Sequence, residues 1–140
     1  MSTPQPPDRT TDTLEILDLF ARYAWGMDAR DEDAFSSVWT ADAVWTATTG
    51  THCEGREAIL ANFRKSKSTP IPEPGSAVRL FGHPMITFDG DKATARTEMV
   101  AFRSSGNAIA AYSVGYYDDR LERTSEGWRL SKRDMVVATA

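Results

Sequence analysis

Turn signals cut the second half of this chain into a run of long strands, and that run narrows the possible folds more than any other feature. Asp89-Gly90, Ser104-Ser-Gly-Asn107 and Thr124-Ser-Glu-Gly127 are built from residues that accept positive φ or hydrogen-bond their own backbone. Between them, residues 77–88, 92–103, 108–123 and 128–137 are rich in β-branched and aromatic side chains. The pattern predicts four antiparallel strands joined by hairpins, with Asp89-Gly90 the strongest hairpin signal. Gly115, inside the third strand, predicts a bulge or bend.

The first half has a different period. Over residues 13–28, a wheel of about 100° per residue places Leu14, Ile16, Leu17, Phe20, Ala21, Tyr23, Ala24, Trp25 and Met27 on a broad apolar arc, opposite Glu15, Asp18 and Arg22. This predicts an amphipathic helix capped by Asp12 or Thr13. Asp28 falls close to the middle of the apolar arc, where a carboxylate needs a partner. Asp31-Glu-Asp33 opens a second helix whose buried spacing is Phe35, Val38 and Trp39. Residues 44–49 read as a strand, and Gly50 and Gly55 bracket a loop holding His52 and Cys53. Residues 56–65 form a third helix with Ile59, Leu60 and Phe63 facing in. Residues 66–76, with Pro70, Pro72, Pro74 and Gly75, read as a loop or pocket lid. Three helices, a strand and a four-strand meander make an α+β order. A strongly bent, mostly antiparallel sheet packed by three N-terminal helices gives a cone-shaped barrel, whose mouth is a natural small-molecule site.

Composition sets the outer bounds. A chain of 140 residues suits one domain, here 13–140 after a disordered lead-in over 1–12 marked by prolines and polar residues. A net charge of −4 gives no bulk attraction to nucleic acid or an anionic membrane. The first ten residues lack the apolar core of a signal peptide. No apolar run nears the ~20 residues that span a bilayer. The lone cysteine, Cys53, reads as a small apolar filler and fits a reducing cytoplasm. No His-Glu-x-x-His, cysteine pair, glycine-rich phosphate loop or Gly-x-Ser-x-Gly elbow occurs, so neither a metal nor an organic cofactor is indicated.

Several segments in order resemble the SnoaL-like branch of the nuclear-transport-factor-two-like superfamily. They are Leu17-Asp-Leu-Phe-Ala-Arg-Tyr23 followed by Asp28 and Asp31, Phe35-Ser-Ser-Val-Trp39 followed by Ala41-Asp-Ala43, and Gly55-Arg-Glu-Ala-Ile59. Gly82-His83 before Asp89-Gly90-Asp91-Lys-Ala93 follows, and then Tyr117-Asp-Asp-Arg-Leu121 with Gly127-Trp-Arg-Leu130 and Arg133. The resemblance covers roughly residues 13–137. It implies the cone fold, a homodimer formed through the open sheet face, and a range of activities. These include scytalone-dehydratase-like and bile-acid-dehydratase-like lyases, ketosteroid isomerases, polyketide cyclases, epoxide hydrolases and non-catalytic small subunits.

The same resemblance assigns chemistry to Tyr23, Asp28 and His83. A His moves protons near neutral pH, a buried Asp can orient it, and a Tyr hydroxyl can polarise a carbonyl. The expectation is a cofactor-independent dehydratase or isomerase acting on a small hydrophobic hydroxy-carbonyl or ring-bearing substrate. Asp28 pairing with an arginine such as Arg133, or capping the second helix, is the structural alternative. The second strand His of the scytalone-dehydratase-like members is missing, and His52 reads as a surface or lid residue. A polyketide-type cyclase would use a strand acid instead: Glu98, Asp118 or Asp134. A non-catalytic ligand-binding or partner subunit would use neither. Trp25, Trp39, Phe81, Met85, Phe102 and Tyr112 are expected to line the pocket, within an aromatic set that also holds Trp45 and Tyr116.

Overall fold

The computed structural model describes residues 8–66 and 77–139. These form helices α1 (Thr10–Asp28), α2 (Glu32–Ser36) and α3 (Arg56–Ser66). The strands are β1 (Trp39–Ala47), β2 (His52–Glu54), β3 (Ala77–Phe81), β4 (Met85–Asp89), β5 (Lys92–Ser105), β6 (Ala108–Thr124) and β7 (Gly127–Thr139). The sheet runs β2-β1-β7-β6-β5-β3, with β4 also on β5. Every pairing is antiparallel except β1 with β7. The helices pack on the concave face of this curved, unclosed sheet, as the α+β order predicted.

The broad apolar arc of α1 divides in two. Ile16, Leu19, Phe20 and Tyr23 are buried in the core. The flank 80–180° round the wheel from Ile16, which holds Ala21, Ala24, Trp25 and Asp28, lies against β3 instead. Leu14 and Trp25 are exposed. The helix starts at Thr10, and the residue before it, Arg9, makes no side-chain cap. Asp12 is not the cap: it is drawn inward by Arg9, Arg123 and the Trp128 indole. Asp31 caps α2 through Ala34 N–H, 3.1 Å. Phe35 alone of the predicted buried trio lies on α2, since Trp39 already opens β1.

Three further differences concern strands. His52 and Cys53 lie on a short strand that pairs with β1, not in a loop. Residues 77–88 form two strands, because Gly82, His83 and Pro84 interrupt the ladder and Pro84 has no N–H to give it. Gly115 stays in register with Met99 and Val137. The shifts lie near Tyr112 and Arg120. A Cβ on Gly115 would run into the Val136 carbonyl, so close backbone approach explains this glycine. Residues 67–76 of the expected lid lie outside the described residues.

The core is aromatic. Tyr23 has Phe35, Trp39, Phe81 and Tyr117 around it, with ring centroids 5.7 to 6.4 Å away. Phe35 stacks on Phe63 at 4.6 Å.

Candidate functional site

β3 is the last strand of the sheet, so its outer edge is open. The Gly82 N–H donates to the Glu98 carbonyl (2.9 Å). That bond sets the phase of the ladder, so the even-numbered residues of β3 face β5 and the Arg79 N–H points off the edge. α1 lies alongside that edge. Between them runs a groove of about 420 Å³, lined by Ala21, Ala24, Trp25, Ala77, Leu80 and Phe81 with Asp28 and Arg79. Trp25 is 62% exposed and offers an indole surface at the groove.

One carboxylate joins the two walls. Asp28 accepts the Arg79 N–H at 2.8 Å and the Arg79 guanidinium Nη1 at 2.5 Å. Both side chains are 15% exposed. Burial pushes the Asp28 carboxyl up, opposed by the charge and N–H of Arg79 and by the charge of Arg30. Burial works against the Arg79 cation, yet Tyr23 and Asp28 hold it protonated. The other guanidinium nitrogen, Nη2, reaches only Tyr112 Oη among the described residues, at 3.5 Å. Arg103 lies over the Tyr112 ring, 4.4 Å from its centre.

The expected trio is not assembled. His83 is exposed, and its Nδ1 lies 2.9 Å from the Pro84 carbonyl. The partner expected from His83 comes instead from Arg79. Tyr23 is fully buried, its hydroxyl 3.8 Å from the Met135 sulfur. Of the six expected lining residues, Trp25 and Phe81 line the groove and Tyr112 borders it through Arg79. Trp39 is buried core. Met85 is 69% exposed and lines a separate depression with Arg96 and Asp118. Phe102 alternates with Arg103 onto the outer face of the sheet, across from Val78. His52 is exposed beside Glu54.

The strand acids also face outward. Glu98 is exposed, Asp118 is held by Arg96 at 2.8 and 3.0 Å, and Asp134 accepts from Thr46 at 2.6 Å. Asp119, one residue on from Asp118, faces inward and forms a two-bond pair with Arg133 (2.8 and 2.7 Å). Both side chains are fully buried. The Arg133 guanidinium lies 4.0 Å from the Tyr117 ring centre and 4.2 Å from that of Tyr23, a cation–π arrangement. Arg133 Nη1, Tyr117 Oη, Thr97 Oγ1 and Trp39 Nε1 are buried without a hydrogen-bond partner among the described residues. No group of three or more His, Cys, Asp or Glu among those residues is placed to hold a metal.

Arg79 was the residue that sequence reasoning missed. Its signal was available: in the alternation of residues 77–81 it shares a face with Ala77 and Phe81, which makes it an inward cation in need of a carboxylate.

Residues 8–134 match the SnoaL-like domain. The chain belongs to that family. It is 27% identical over 127 residues to the uncharacterised Mycobacterium tuberculosis protein Rv2910c, covering 88% of this chain and 83% of the relative. A solved NTF2-like protein with a cystatin-like fold from Novosphingobium aromaticivorans is 28% identical, with a TM-score of 0.76, over 90% of this SnoaL-like chain and 81% of its own. A proposed aromatic-ring-hydroxylating dioxygenase β subunit from the same organism shares the fold at 18% identity, with a TM-score of 0.78, over 93% and 91% of the two chains. Among the described residues of this SnoaL-like protein, no helix is long and apolar enough to cross a membrane.

Proposed function

We propose that this SnoaL-like protein binds a small, hydrophobic, ring-bearing molecule in the groove between α1 and β3. The observation that carries the reading is the groove's make-up: apolar walls, one ion pair and an exposed indole, the composition of a small-molecule site. Trp25 offers the ring a stacking surface. Arg79 and Tyr112 offer donors that fix its orientation. Proton transfer through His83 has no geometric support, because Asp28 is engaged by Arg79 and the His83 ring lies in solvent. Membership of a family whose fold hosts cofactor-free enzymes keeps a second reading open, and the raised Asp28 carboxyl favours it. In that reading Asp28 is the general base of a dehydratase, isomerase or cyclase, with Arg79 positioning it.

Fluorescence separates these readings. Trp39 and Trp128 are fully buried and Trp45 nearly so, which leaves Trp25 as the accessible indole. Titration with 2-naphthol should change the acrylamide-quenchable emission saturably, and in Trp25→Ala, which lacks that reporter, calorimetric titration should show weakened binding. His83→Ala should bind like the wild type. Loss of binding in His83→Ala, with Trp25→Ala unaffected, would overturn the groove reading. Asp28→Asn keeps the side-chain shape. If it still binds ligand but stops turnover of an identified substrate, the enzyme reading stands.

A further inference from the structure

We infer that the ligand of this groove carries an oxyanion, a carboxylate in the first instance, held at the mouth by Arg79 with Arg103 and Arg30 adding positive potential. The inference rests on the groove reading and adds the ligand's charge. Three observations support it. Arg79 commits Nη1 and its backbone N–H to Asp28, whereas among the described residues Nη2 has only the long Tyr112 contact. One side of a buried guanidinium is therefore open to a planar acceptor. Arg103 shares the concave face with Arg79, one pleat along β5: Arg79 is opposite Ala101 and Ala77 is opposite Arg103. Tyr112 lies between the two cations.

The third observation concerns Arg30. α1 ends with the Asp31 N–H bonded back to the Gly26 carbonyl at 3.0 Å, the six-to-one closure of a Schellman motif. This places Arg30 at the position that prefers glycine, and Arg30 has φ of 59°. A side chain there is strained relative to glycine. Its charge acts on Asp28. The result is a strained residue just past the C-terminus of α1 whose positive charge acts on the ion pair.

The test compares 2-naphthoate with its neutral isostere 2-naphthalenemethanol, by calorimetric titration of the wild type at low and high salt. The carboxylate is expected to bind about tenfold tighter or better, with the gap shrinking in 0.5 M NaCl. Arg79→Met removes the pair of a buried carboxylate and can fail to fold, so the informative variants are Arg103→Met and Arg30→Gly. Both should weaken the carboxylate several-fold and leave the alcohol unchanged. Arg30→Gly should also raise the melting temperature, which a purely structural arginine would do without touching affinity. Equal affinity for the two probes, or a carboxylate preference that both variants leave intact, overturns the inference while the groove reading stands. Failure of both probes to bind the wild type overturns the groove reading itself.

Discussion

Asp12 is a helix residue that behaves as a cross-brace. Its carboxylate takes Arg123 through two bonds (2.9 and 3.1 Å), Arg9 at 2.9 Å and the buried Trp128 Nε1 at 3.0 Å. Arg123 and Trp128, its two strongest partners, hold its carboxyl well below the usual range. A depressed carboxyl stabilises the fold fully above the unfolded value of about 4 and loses that contribution as pH falls toward the native value. Asp12→Asn should therefore cost about 1–2 kcal/mol at neutral pH. In urea titrations repeated down the pH scale, its gap to the wild type should close below about pH 4. A constant gap would mean that the loss is one of shape, not charge. Tyr117 gives the opposite expectation. Burial pushes its hydroxyl far up, and the hydroxyl has no partner among the described residues. Removing an unpaired buried polar group relieves its desolvation cost, so Tyr117→Phe should be neutral or stabilising by about 1 kcal/mol in thermal melts. A clear loss would reveal a hydrogen bond made to water or to the Tyr23 hydroxyl beside it. Legibility at this scale was uneven. That Asp28 needed a partner could be read from the wheel. That the partner was Arg79 could not, because a single strand's alternation names a face without saying which helix end lies beside it.

Elements show the same division between local and long-range information. The helix periods, the Asp89-Gly90 hairpin and the other two strand turns were legible, since each rests on chemistry within a few residues. Gly90 indeed takes φ of 59°, as a tight hairpin requires. The break at residues 82–84 was announced by Pro84 but overridden by the β-rich residues on either side. β2 was hidden between two glycines because three residues give no period. Two glycines owe their place to contacts between elements that no local pattern shows. An added Cβ on Gly26 would meet Phe35 N at 2.7 Å and its Cα at 2.8 Å, so this glycine sets how closely α2 crosses α1. Gly26→Ala should cost about 1–3 kcal/mol by overpacking, more than Gly106→Ala. Gly106 has φ of 60° and open space around it, which leaves only the backbone strain of about 1 kcal/mol. Chemical denaturation of the two variants ranks them. If Gly106→Ala were the worse, strain rather than interhelix packing would dominate.

At the scale of the whole molecule, the outer face of the sheet is not a uniform solvent surface. Leu80, Val100, Val114 and Ala138 lie opposite one another in register across β3, β5, β6 and β7. Leu80 is 55% and Val114 50% exposed. Toward the other end of the same face, charges replace them, with Arg96 on Asp118 and Lys132 near Asp134. An apolar row across four strands, bordered by ion pairs, has the layout of an interface with an apolar centre and a polar rim. A second copy is the occupant expected from the sheet-face homodimer that the family resemblance implies. Two copies of one row are self-complementary about a two-fold axis. Leu80 ends the row and also lines the groove, so the groove would stay open on its α1 side, where Trp25 and Asp28 lie. Sedimentation velocity at micromolar concentration should give a dimer, and Val114→Glu, which puts a carboxylate at the middle of the row, should give a folded monomer that still binds the groove ligand. A wild type that sediments as a monomer would leave the apolar row to a different partner. A Val114→Glu dimer would put the contact elsewhere on the molecule.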